Sequence, residues 1–197
     1  MTRTLLIAGV AICALTLGAC DKTPETKGAA TPNEQAMTPD ANPAATVPTP
    51  SNESTAPVFV DKAGNSDLFE IEASKIALTR STNPQVKTFA KQMIEAHTTS
   101  SAALGKAITE SGQTLTLPPA MNDDMAGKIS DLNKADAKDF DKTYVDGQVD
   151  AHQAALNLLQ RYAEDGDVPA IKAFAATTAP KVQKHLDMAK TLKDGVK

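Results

Sequence analysis

Apolar residues recur at intervals of three and four along three long stretches of this chain. Val86, Phe89, Met93, Leu104 and Ile108 form the first series, Val145, Val149, Leu156 and Leu159 the second, and Val182, Ala189 and Leu192 the third. That spacing gives each stretch one apolar face in a helix and no continuous face in a strand. Asn83-Pro84 supplies a cap and a first-turn proline for the first helix, and Gly112 its stop. Asp136 is expected to cap the second, which ends at Asp165-Gly166. Asp167 with Pro169 is expected to start the third, which Pro180 should kink or split. An opening helix rich in Leu, Ile and Ala is expected over roughly Ser66 to Ser81. No stretch alternates with period two for long, so the fold class reads as all-α.

The connections decide how such helices are arranged. Residues 113 to 136 contain Pro118-Pro119, then Met121, Met125, Ile129 and Leu132 spaced as one face of a short helix. A helix from Pro84 to Ser111 is about 42 Å long, and this connection can cover roughly 60 Å. It is therefore long enough to run the length of a bundle, whereas the other connections are short. The expected architecture is a ferritin-like four-helix bundle with a long middle crossover carrying a short helix.

The chain before this domain has a different character. Arg3 precedes an apolar run from Leu5 to Leu17, too short for a membrane-spanning helix but suited to a secretory signal. The run ends in Leu17-Gly18-Ala19-Cys20, which resembles a bacterial lipobox. Residues 1–19 are then a lipoprotein signal peptide and Cys20 the lipid attachment site. Acylation there implies a protein tethered to a membrane without crossing it, on the periplasmic side of a bacterial envelope. Asp21 leans toward the inner membrane. Residues 20–57 hold seven of the 12 prolines and no aromatic residue, so they are expected to form a Pro-rich disordered tether. The bundle domain is expected over 58–197.

Of the two cysteines, Cys13 leaves with the signal and Cys20 carries lipid, which leaves no thiol for a disulfide or a cysteine-rich metal site. A formal charge of −4, no Trp and two Tyr argue against nucleic acid as a partner. No Gly-x-Ser-x-Gly, phosphate loop, His-Glu-x-x-His or Cys-x-x-Cys occurs. No nucleophile–base pair or metal triad of a known enzyme is recognisable.

The chain has three histidines, His97, His152 and His185. Each falls on a different long helix and on its apolar stripe, so all three imidazoles are expected to point inward. Glu70 stands over Ala73, Ser74 and Ala77 on the opening helix, a small-residue groove in which a carboxylate can turn inward. A buried carboxylate needs a partner. Two readings follow. Glu70, His97, His152 and His185 converge on a single transition-metal ion of the kind imidazole suits, or they are core residues bonded to Glu70, Gln148 or backbone carbonyls. A di-iron centre of the ferritin type is not expected. Ile94, Val149 and Val182, where that centre needs Glu, stand three residues before the histidines. Met121 and Met125 are expected to fill gaps on an apolar face.

Several segments in this order resemble one exported bacterial family. They are Phe59-Val60 with Leu68-Phe69-Glu70-Ile71, Phe89-Ala90 through Met93-Ile94-Glu95 to His97, Phe140-Asp141 with Tyr144-Val145-Asp146-Gly147-Gln148 to His152, and Ala179-Pro180 with His185-Leu186. The family is domain-of-unknown-function family 4142, and the resemblance covers about residues 58 to 192. It implies a ferritin-like fold and an envelope location, and no activity. The family usually has Asp just before the first His, where this chain has Ala96.

The function expected on this reading is that of an envelope helical-bundle protein with a metal site of inward His and Glu residues. The alternative is a structural or stress-protective envelope interaction protein with no ligand and satisfied core histidines. In both cases the membrane, through the lipid anchor, is the expected contact, and an envelope protein partner is unspecified.

Overall fold

The computed structural model describes residues 53–196. The signal at 1–19, Cys20 and nearly all of the 20–57 tether lie outside the described residues. Five helices follow in order: α1 (Ala56–Arg80), α2 (Pro84–Ser111), α3 (Asp123–Lys134), α4 (Phe140–Asp165) and α5 (Pro169–Gly195). Among the described residues there is no strand, and no helix is long and apolar enough to cross a membrane.

Four of these helices form a closed square in which α1 touches α2 and α4, and α5 touches the same two. Phe59 stacks on Tyr162 near the start of α1, while Ser74 hydrogen-bonds Tyr144 near its end, so α1 and α4 are antiparallel. Short turns make α1–α2 and α4–α5 antiparallel as well. The 112–139 connection carries α3 along the outside and returns the chain to the end where α2 began. This is the expected bundle with one long crossover.

Local chemistry explains the helix ends. Asn83 accepts from the Gln85 N–H at 2.9 Å, Pro84 occupies the first turn, and Gly112 closes α2 at φ 68°, a conformation that favours glycine. Asn122 caps α3 through the Met125 N–H at 3.0 Å. The crossover is fastened to α1 at two points. Asn65 Oδ1 accepts from the Asn122 N–H at 2.7 Å, and Arg80 donates to the carbonyls of Leu132, Asn133 and Ala135 at the end of α3. The Arg80 guanidinium also lies 4.4 Å over the Phe140 ring.

Four details correct the expectations from sequence. The opening helix begins at Ala56 and not near Ser66, because Pro57 sits in the first turn, where a missing N–H costs nothing. The second long helix starts at Phe140, and the backbone carbonyl of Asp136 only closes the turn that leads into it. Asp167 does not cap α5. Its carboxylate accepts from the Ala56 N–H and the Tyr162 hydroxyl, each at 2.9 Å, and so ties the start of α1 to the α4–α5 turn. Pro180 does not split α5, which continues through it as one helix.

The interior holds two apolar clusters. One gathers Phe59, Leu104, Tyr162, Ile171 and Phe174, and the other Phe89, Met93, Phe140, Tyr144 and Ala189. Met121 and Met125 pack against the second, as gap-fillers do. Where the two clusters meet, every one of the four bundle helices places polar side chains inward: Asp67 and Glu70 on α1, His97 on α2, Gln148 and His152 on α4, and His185 on α5.

Candidate metal centre

The polar layer is built by side chains whose positions follow from the helical stripes. His97 and His152 are buried, and His185 is half-buried on the side of α5 that faces α2. Their ring centroids form a near-equilateral triangle with sides of 5.4, 6.0 and 5.7 Å.

Hydrogen bonds on the outer edges decide which ring nitrogens face the centre. His97 Nδ1 stands 2.8 Å from Asp67 Oδ1, and the Ser101 hydroxyl donates to Asp67 Oδ2 at 3.0 Å. His152 Nδ1 stands 2.8 Å from the backbone carbonyl of Gln148. Both acceptors require an N–H, which assigns the Nδ1–H tautomer to each neutral ring and leaves a lone pair on each Nε2. Those two Nε2 atoms stand 3.5 Å apart. Two lone pairs facing each other repel unless a proton or a metal cation lies between them. The buried Nδ1 of His185 has no hydrogen-bond partner among the described residues. One nitrogen from each of the three rings lies within 4.8 Å of the others.

This arrangement passes a geometric test for a metal ion. Imidazole nitrogens bound tetrahedrally at 2.0–2.1 Å are separated by about 3.3 Å. The His97–His152 spacing of 3.5 Å is close to that, and the nitrogens, all within 4.8 Å of one another, need to close by at most about 1.5 Å. The outer partners also fit, since metal-bound imidazoles usually give their other N–H to a carboxylate or a backbone carbonyl. Asp67 and Gln148 supply one of each.

Glu70, expected among the ligands, is buried on the other side of His152. Its Oε1 lies 3.5 Å from His152 Nδ1, the nitrogen turned away from the trio. Among the described residues neither Glu70 oxygen has a hydrogen bond of good geometry, and the Gln148 amide, close enough to favour the carboxylate, has none either. The structure therefore brings together the three histidines and sets Glu70 behind one of them. The bond from His152 to the Gln148 carbonyl is of the kind expected for a core histidine, and a metal site uses the same bond to aim the ring.

Electrostatics separate the groups. Burial raises the Glu70 carboxyl to about 7, against the opposing pull of His97 and Gln148. Burial and the neighbouring His97 lower His152 to about 3 and His185 to about 4. Burial would also lower His97, but the Asp67 hydrogen bond, with the charges of Glu70 and Asp67, outweighs it and holds that ring above its ordinary value. His152 and His185 thus stay neutral, the form in which imidazole binds a metal.

Asp67 was not singled out in the sequence, although Asp67, Glu70 and Ser74 share one face of α1 at intervals of three and four. The Asp67 carboxylate reaches the His97 ring from the neighbouring helix.

The model of a family described as domain of unknown function (DUF4142) matches residues 41–192, well over half of the chain. No curated protein and no solved structure matches.

Proposed function

The chain belongs to the DUF4142 family, and from that premise we propose that it is a bacterial envelope protein whose bundle binds one transition-metal ion through His97, His152 and His185. The observation that carries this reading is the convergence of three imidazole nitrogens within 4.8 Å, two of them aimed by Asp67 and the Gln148 carbonyl. Glu70 supplies negative charge or a neutral carboxyl behind His152 and takes no direct bond to the ion. Imidazole donors without a thiolate suit Zn, Cu, Fe or Ni. Cys20, as a lipid attachment site, would hold the bundle at the periplasmic face of a membrane, the inner one favoured by Asp21.

The test uses the full chain purified without a histidine tag, stripped with a chelator and then offered Zn(II) or Cu(II). Bound metal near one ion per chain, lost in His152→Leu, supports the reading. Stoichiometry near zero with both metals overturns it and leaves a ligand-free envelope bundle.

A further inference from the structure

Resting on that metal reading, we infer that the three-histidine centre has an open coordination position that takes a small anion through the cleft between α2 and α5. Three protein ligands leave a fourth tetrahedral position to something else, the arrangement found where a metal must meet a substrate and not merely hold a fold. What decides the matter is whether that position can be reached.

A cleft of about 490 Å³ lies between α2 and α5, and both His97 and His185 line it. His152, Asp67 and Glu70 do not. Two of the three candidate ligands are therefore approached from one side, while the groups that aim and back the rings lie on the other. The volume suits a ligand larger than one water. Along this contact the small side chains of Ala96, Ser100 and Ala103 line the cleft without filling it. The unpaired Nδ1 of His185 belongs to the residue nearest solvent of the three.

Charge selects the class of ligand. Lys181 and Lys184, both exposed, line the cleft together with a single acid, Glu95. Beneath them a divalent ion on three neutral imidazoles adds positive charge on the cleft side, while the carboxyl groups of Asp67 and Glu70 that offset it do not line the cleft. A small carboxylate or inorganic anion meets both attractions, and the Ser100 hydroxyl offers a donor beside it.

Azide and acetate are the probes, and Co(II) in the full chain is the reporter, because its visible bands respond to a change of ligand. The expected result is a saturable band shift with each anion. The double variant K181E/K184E should weaken azide binding about tenfold at low salt, with the difference shrinking as salt screens it. Its helical circular dichroism and Co(II) stoichiometry should stay unchanged. Co(II) bands that ignore saturating azide overturn the inference while the metal reading stands. So does azide that strips the ion and bleaches the spectrum. Failure to bind Co(II), Zn(II) or Cu(II) at all removes both together.

Discussion

Asp67 on α1 holds the Nδ1 of His97 on α2 at 2.8 Å, and this one contact points the opposite nitrogen of the ring at His152. The carboxylate is itself held by Ser101, so the ring has little freedom to turn.

Removing that orienting group should weaken metal binding without touching a ligand. Asp67→Ala is expected to lower Zn(II) affinity about 10- to 100-fold, the usual effect of losing such a partner. Asp67→Asn, whose side-chain carbonyl still accepts from Nδ1, should lose less. Competition against a chromophoric chelator measures both, and an Asp67→Ala protein that binds zinc like the parent contradicts the assignment.

His152→Leu separates binding from folding. In chelator, the variant should melt no lower than the parent, because an apolar side chain replaces a fully buried polar ring whose Nε2 has only the long 3.5 Å contact to His97. Zinc at a free concentration of about 100 times Kd stabilises a one-site protein by about 2.7 kcal/mol. Thermal scans should show that gain in the parent and not in the variant.

Glu70→Gln should reveal a pH-dependent cost in metal-free protein. A carboxyl at 4.5 when unfolded and about 7 when folded imposes no penalty below the lower value. The penalty grows as pH rises between the two and is complete above the upper one. His152 and His185, held low by burial, lose stability as pH falls below their ordinary range, but they do so in both proteins and drop out of the difference. The variant should gain little at pH 4 and up to about 3 kcal/mol at pH 8. Urea unfolding in chelator at both values tests this, and an equal difference at the two pH values contradicts it.

The crossover makes a prediction of its own. Gly64 packs against the ring of Pro118, and a methyl group at Gly64 would overlap that ring. Gly64→Ala should cost about 1–3 kcal/mol by forcing the crossover away from α1. Chemical denaturation measures the loss, and zinc stoichiometry should be preserved, because the three histidines lie on other helices.

Much of this architecture was legible in the residues because helix periodicity is local. The stripes that place His97, His152 and His185 inward need only the order of residues along each helix. The crossover followed from length, since 113 to 136 is the single connection able to span the bundle. What escaped depends on contacts between distant segments. Asp67 sits among Asn65 and Ser66 in a polar stretch that would suit a solvated helix start, and only His97 and Ser101, far away in sequence, bury it. Asp167 has the look of a cap for the helix that follows it, yet its carboxylate serves the beginning of α1. Glu70 was placed inward by its small neighbours, but no local pattern tells which edge of His152 a carboxylate will face.

The most direct measurement is X-ray absorption at the zinc edge on the zinc-loaded full chain. The account predicts about three imidazole nitrogens and one further light atom, with nitrogens at about 2.0–2.1 Å. A first shell dominated by carboxylate oxygen, or one with no more than a single imidazole, would contradict it.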